Sequence, residues 1–99
     1  MTIEQICEKH GIENYIINDD GLIDVNGDVF IQNSEFTKLP LKFNKVSGEF
    51  SCYNNELTSL EGCPKFVGGY FDCGGNLLGD LKGSPEQVGG EFHCESNGL

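Results

Sequence analysis

Three cysteines, Cys52, Cys73 and Cys94, recur at intervals of 21 residues, and thiolates are good ligands for zinc and iron clusters. At the same interval stand Ser51, Asp72 and His93, which are the residue types of a nucleophile, an orienting carboxylate and a base. A third set, Asp24, Asn26, Asp28 and Glu35 in DVNGDVFIQNSE, places oxygen donors at alternate positions and a carboxylate at the twelfth, as a calcium loop does. Each set fails on geometry. Residues one repeat apart in a stacked coil lie about 4.8 Å from their neighbours with side chains parallel, so the cysteines do not converge on a tetrahedral centre. A buried Cys serves instead as a small hydrophobe, and disulfides within such a file are close enough but poorly directed. A flat strand face offers the serine column no oxyanion cradle. In the calcium-like segment the sixth position, which needs a glycine, is Val29, a core residue of the repeat. His10 and His93 have no nucleophile at a family spacing, and no phosphate loop is present. The expectation is no catalytic residue, no metal and no cofactor.

The elements that position these residues emerge from the period itself. Gly48 to Gly68 reads GEFSCYNNELTSLEGCPKFVG, Gly69 to Gly89 reads GYFDCGGNLLGDLKGSPEQVG, and GEFHCESNGL follows from Gly90. Phe50, Phe71 and Phe92 share one register, as do Asn55, Asn76 and Asn97, and Leu57, Leu78 and Leu99. Leu60 with Leu81, Pro64 with Pro85 and Val67 with Val88 complete the unit. A degenerate earlier copy runs through Gly27, Val29, Ile31, Ser34, Phe36, Leu39, Leu41, Phe43 and Val46. A repeat of this length means a solenoid. The fold class is therefore an α+β solenoid, with a leucine-rich-repeat-like parallel sheet built from 21-residue coils over residues 27–99, about three and a half of them. Alternation along G-E-F-S-C-Y sends Phe50 and Cys52 inward and Glu49, Ser51 and Tyr53 outward. The asparagine is expected to satisfy backbone groups at the exit from the strand. The Gly-Gly corners at 68–69 and 89–90 are expected to supply freedom in φ.

Residues 1–26 do not repeat and are expected to cap the first coil. Thr2-Ile3-Glu4-Gln5 has capping-box spacing, Ile3, Ile6 and Cys7 share a face, and Gly11 suits a helix stop, so a short helix is predicted. YIIN and LIDV flank Asp19-Asp20-Gly21, which predicts a β-hairpin leading into the first coil.

GEFSCYNNELTSLEGCPKFVGG, preceded by YIINDDGLIDVNGDVFI and the short helix, resembles the small leucine-rich-repeat proteins encoded by tailed bacteriophages and also found in bacterial genomes. The resemblance covers nearly the whole chain and is specific for fold. It implies a binding scaffold without catalytic residues, acting on a host protein, with an inhibitor of a defence or nucleic-acid-processing enzyme as its most concrete form. The first coil departs from the pattern, with Ile31 for cysteine and Ser34 for asparagine.

Composition narrows the partners. The chain has 99 residues, 37% hydrophobic and 22% charged, which suits one folded domain, and its formal net charge is −10. All six cations are lysines, so the arginine fork that grips phosphates and base edges is missing, and direct contact with nucleic acid is not expected. Neither a signal-peptide pattern nor a membrane-length apolar run appears, and an odd count of five cysteines fits a reducing compartment, so the cytoplasm of a bacterial host cell is the expected location. The acidity is polarised. It sits in residues 1–26 and in the last coils, with Lys38, Lys42 and Lys45 between.

The outward columns carry the functional expectation. Asp28, Glu49, Tyr70 and Glu91 form one, Phe30, Ser51, Asp72 and His93 the next, and Gln32, Tyr53, Gly74 and Glu95 the third. Aromatic anchors among carboxylates suit a partner protein with a basic surface, which puts Asp28, Glu49, Tyr53, Tyr70, Asp72, Glu91 and His93 at the interface. Two other readings compete: an acidic mimic that occupies a DNA- or RNA-binding groove, and a structural protein that self-associates through an open last coil at Phe92, Cys94 and Leu99.

Overall fold

The computed structural model describes residues 1–98 and shows a β-solenoid with one helix at its N-terminal end. Helix α1 (Ile3–Lys9) begins on the capping box expected for it: Gln5 N–H donates to Thr2 Oγ1 at 3.1 Å, and Thr2 N–H donates to Gln5 Oε1 at 2.9 Å. Strands β1 (Tyr15–Ile17) and β2 (Ile23–Val25) pair antiparallel, with Tyr15 opposite Val25, which is the expected hairpin. Its second arm is also the first rung of the solenoid. β2 runs parallel to β4 (Phe43–Val46), so the 1–26 segment merges into the coils instead of resting on them.

Each complete coil supplies two short strands, and the molecule has two sheets where a single parallel sheet was expected. β3 (Val29–Phe30), β5 (Phe50–Ser51), β7 (Phe71–Asp72) and β9 (Phe92–His93) build a four-stranded parallel sheet in strict 21-residue register. On the return arc β6 (Phe66–Val67) and β8 (Gln87–Val88) continue β2 and β4 into a second sheet, ordered β1-β2-β4-β6-β8. On the return arc these strands are laddered in the same 21-residue register as the first face.

Between the sheets lies the core. Phe43, Phe50 and Phe71 are buried, with Phe43 edge-on to Phe50 at 5.3 Å and Phe50 stacked on Phe71 at 5.7 Å. Phe92 closes the file 5.1 Å from Phe71. Cys52 and Cys73 form an internal file: their thiols donate to the Asp72 and His93 carbonyls of the following coil, at 3.6 and 3.5 Å. Burial and the neighbouring Cys52 push the Cys73 thiol up to about 12, and a contact with Cys52 together with burial holds Cys63 well above its ordinary value.

The asparagine column does what the buried backbone requires. Asn76 Nδ2 donates to the Cys52, Cys73 and Gly74 carbonyls at 3.0, 3.0 and 3.1 Å, and its Oδ1 accepts from Leu57 N–H at 3.0 Å. Asn97 repeats this on Cys73, Cys94 and Leu78. Asn55 Nδ2 reaches the Ile31 and Cys52 carbonyls, yet Asn55 Oδ1 is the one buried side-chain oxygen or nitrogen without a partner among the described residues. By the register of Asn76 and Asn97 its donor would be the Phe36 N–H of the degenerate first coil, a bond that is not made.

The corner glycines act for a different reason from the one expected. Gly68 and Gly89 do not have positive φ. A Cβ on Gly68 would strike the Ser47 carbonyl oxygen, and one on Gly89 would strike that of Gly68, so they are glycine because adjacent coils touch backbone to backbone. Left-handed backbone occurs instead just after the first-sheet strand, at Asn33, Asn54, Gly75 and Ser96, with φ of 56°, 58°, 65° and 58°. Among the described residues no helix is long and apolar enough to cross a membrane.

Phe71→Ala should cost about 3–5 kcal/mol in urea unfolding, because the cavity opens in the middle of a packed file. Asn76→Ala should cost roughly 1–3 kcal/mol, and more than Asn97→Ala, since the Leu57 N–H it leaves without an acceptor is buried whereas the Leu78 N–H that Asn97 holds is only part-buried. In the native state at pH 8, alkylation should reach half-buried Cys94 first and spare Cys52 and Cys73 until the chain unfolds.

Candidate interaction faces

The sheet β3-β5-β7-β9 carries every residue expected at the interface on its outer side or along its rims. Phe30, Ser51, Asp72 and His93 lie in cross-strand register, which fixes Asp28, Glu49, Tyr70 and Glu91 at one margin and Tyr53 and Glu95 at the other. Spacing along the column follows from the coils, so the charges cannot collapse on one another.

One member of the face departs from expectation. Ser51 is buried, because Gln32 from the preceding coil folds over it and accepts its hydroxyl proton at 2.8 Å. Ser51, Asp72 and His93 therefore do not interact as a relay. Asp72 Oδ1 accepts from Gly74 N–H at 2.8 Å, and the His93 ring is held 3.1 Å from Glu91 Oε1 through Nε2 and 3.1 Å from Glu95 Oε1 through Nδ1. The calcium-like oxygens are likewise engaged by the next coil: Asp24 by Asn44 Nδ2, Asn26 by Ser47 Oγ and Asp28 by Glu49 N–H, each at 2.9 Å. Val29 in their midst is buried in β3.

What the face presents is aromatic rings interspersed with carboxylates. Tyr53 is 45% exposed. Half-buried Tyr70 packs edge-on to His93 at 6.4 Å, and burial together with the Glu49, Asp72 and Asp28 charges keeps its phenol above the ordinary value, hence neutral and able to donate. The hydrogen bonds to Glu95 and then Glu91 raise His93, which makes a Glu-His-Glu clasp along the last strand. Phe92, at the end of the phenylalanine file, is 39% exposed, and Cys94 beside it is half-buried. Leu99, expected with them, lies outside the described residues.

A second concave surface was not anticipated. It lies over the β1-β2-β4-β6-β8 sheet, measures about 900 Å³, and is bordered by Ile16, Asp24, Lys45, Phe66 and Gln87 among others. Of that sheet only the inward Val25, Val46, Val67 and Val88 repeat, so nothing in the sequence marked their neighbours as a face. Comparison with family models, curated proteins and solved structures gives no match to the chain.

The two histidines should titrate on opposite sides of the ordinary value in an NMR pH series. His10, packed against Phe36, is lowered by burial and by Lys9, while His93 is raised by its carboxylates. Because the folded value of His93 lies above the unfolded one, the stability it contributes is present below about pH 6.5 and is lost as pH rises through its folded value. Glu91→Gln with Glu95→Gln should return His93 toward the ordinary value and leave His10 where it is.

Proposed function

We propose that the protein is a non-enzymatic recognition module that binds a partner protein with a basic surface through the outer face of the β3-β5-β7-β9 sheet. One observation carries this reading. Rigid 21-residue stacking holds Tyr53, Tyr70 and His93 among Asp28, Glu49, Asp72, Glu91 and Glu95 on a single flat surface. Aromatic rings fixed by neighbouring coils lose little conformational freedom on binding, and the surrounding carboxylates steer a cationic surface toward them. The division of labour follows: Tyr70 and Tyr53 anchor, while Glu49, Asp72 and Glu91 supply complementary charge. The likeness to phage-encoded repeat proteins supports a bacterial host protein as the partner and inhibition as the outcome, which would place the encounter in the host cytoplasm.

The net charge of −10 also favours a second reading, in which the carboxylates imitate phosphates and the partner is a nucleic-acid-binding groove. The two differ in salt dependence, since a phosphate mimic acts mainly through charge.

In capture from a bacterial lysate, wild type should retain its partner at about 0.5 M salt, where exposed charges are largely screened. Tyr70→Ala, and separately Asp72→Lys with Glu91→Lys, should lose it. Binding that ignores Tyr70→Ala, vanishes in salt and is displaced by DNA would replace this reading with mimicry.

A further inference from the structure

The groove on the opposite sheet has a chemistry of its own. Cross-strand register sets Ile16, Asp24, Lys45, Phe66 and Gln87 in one row across five strands, one residue per strand. Ile16 and Phe66 are 67% and 37% exposed, and beneath the row Val25, Val46 and Val67 are buried. The two apolar members are thus displayed over a sheet whose other side is already filled by core.

Distance and charge specify an occupant. Ile16 and Phe66 stand three strand spacings apart, about 14 Å. An extended peptide advances about 3.4 Å per residue and repeats its facing every second one, so the side chains at i and i+4 cover the same span on the same side. Asp24 and Lys45 are adjacent across the sheet and opposite in charge, and Glu86 at the far end leaves the groove lining with one net negative charge. We infer that this groove binds an extended peptide segment of another protein, with two apolar side chains four residues apart and an arginine or lysine two residues beyond the one seated on Phe66. The middle residue of the segment, over Asp24 and Lys45, is polar and uncharged. A second copy of this chain is the poorer occupant, because it would bring another net charge of −10 to the same surface. This site is separate from the aromatic face, so its failure and the failure of that reading are independent.

The test uses a capped nine-residue peptide of alternating threonines with leucine, glutamine, leucine and arginine at its second, fourth, sixth and eighth positions, together with its reversed sequence, titrated into labelled protein by NMR. At least one direction should shift the amides of Ile16, Lys45, Phe66 and Gln87 and leave those of Ser51, Asp72 and His93 unmoved. Replacing the arginine by glutamate should weaken binding at least fivefold. Glu86→Lys, an exposed change that leaves the core intact, should reverse that preference, and Phe66→Lys should abolish binding of both peptides. The inference is overturned if neither direction shifts the groove, if the shifts fall on the other sheet, or if Glu86→Lys leaves the charge preference unchanged. It is equally overturned if the same amides shift on concentrating the protein alone, which would make the occupant a second copy.

Discussion

Backbone hydrogen bonding from one coil to the next is the constraint on which the molecule depends. In the first sheet the N–H of each alternate residue donates to a carbonyl 20 residues ahead, as in Phe50 to Tyr70 at 3.0 Å and Phe71 to Glu91 at 2.8 Å. In the second sheet the donation runs backward by 22, as in Gly68 to Val46 at 2.9 Å and Gly89 to Val67 at 2.8 Å. With strands only two residues long, no single ladder would hold alone. The two ladders hold because they share one core and one period. Side chains inherit their stacking from this scaffold: phenylalanines fall on phenylalanines because their backbones have no other register.

The asparagines couple the ladders to the turns between them. An amide that donates to carbonyls in its own and the preceding coil and accepts an N–H from the preceding coil leaves a tight bend with few unpaired groups, which a hydrophobic side chain could not do. Against the degenerate first coil, where Phe36 N–H does not take up the equivalent bond, the pattern fails by a single oxygen on Asn55. The hairpin compensates on the other sheet by adding β1 and β2 as antiparallel and parallel rungs.

What the sequence disclosed depended on whether identity recurred. Phe50, Phe71 and Phe92, the asparagine column and the coil period were legible because the same residue types return at one spacing, and the capping box was legible because its bonds are local. The second ladder was not. Across β4, β6 and β8 the outward residue changes from Lys45 to Phe66 to Gln87, and a two-residue strand has no alternation to detect, so only Val46, Val67 and Val88 hinted at it. The groove over that sheet was hidden for the same reason. Gly68 and Gly89 were recognised as corners, but their cause, contact between successive backbones, can be read only once the coils are stacked. Ser51 was placed outward correctly by parity, and its burial under Gln32 follows from a neighbour one coil away.

Close approach at the glycine corners also governs how such a chain can change in length. Gly68 lies against Ser47, and Gly89 against Gly68, with no room for even a methyl group. Gain or loss of one whole unit restores every partner, whereas an insertion of one or two residues between Phe50 and Phe92 would set a side chain where two backbones meet and move the aromatic file out of line. Genetic drift in size is thereby confined to whole-coil steps, while substitutions on the outward rows stay free to vary.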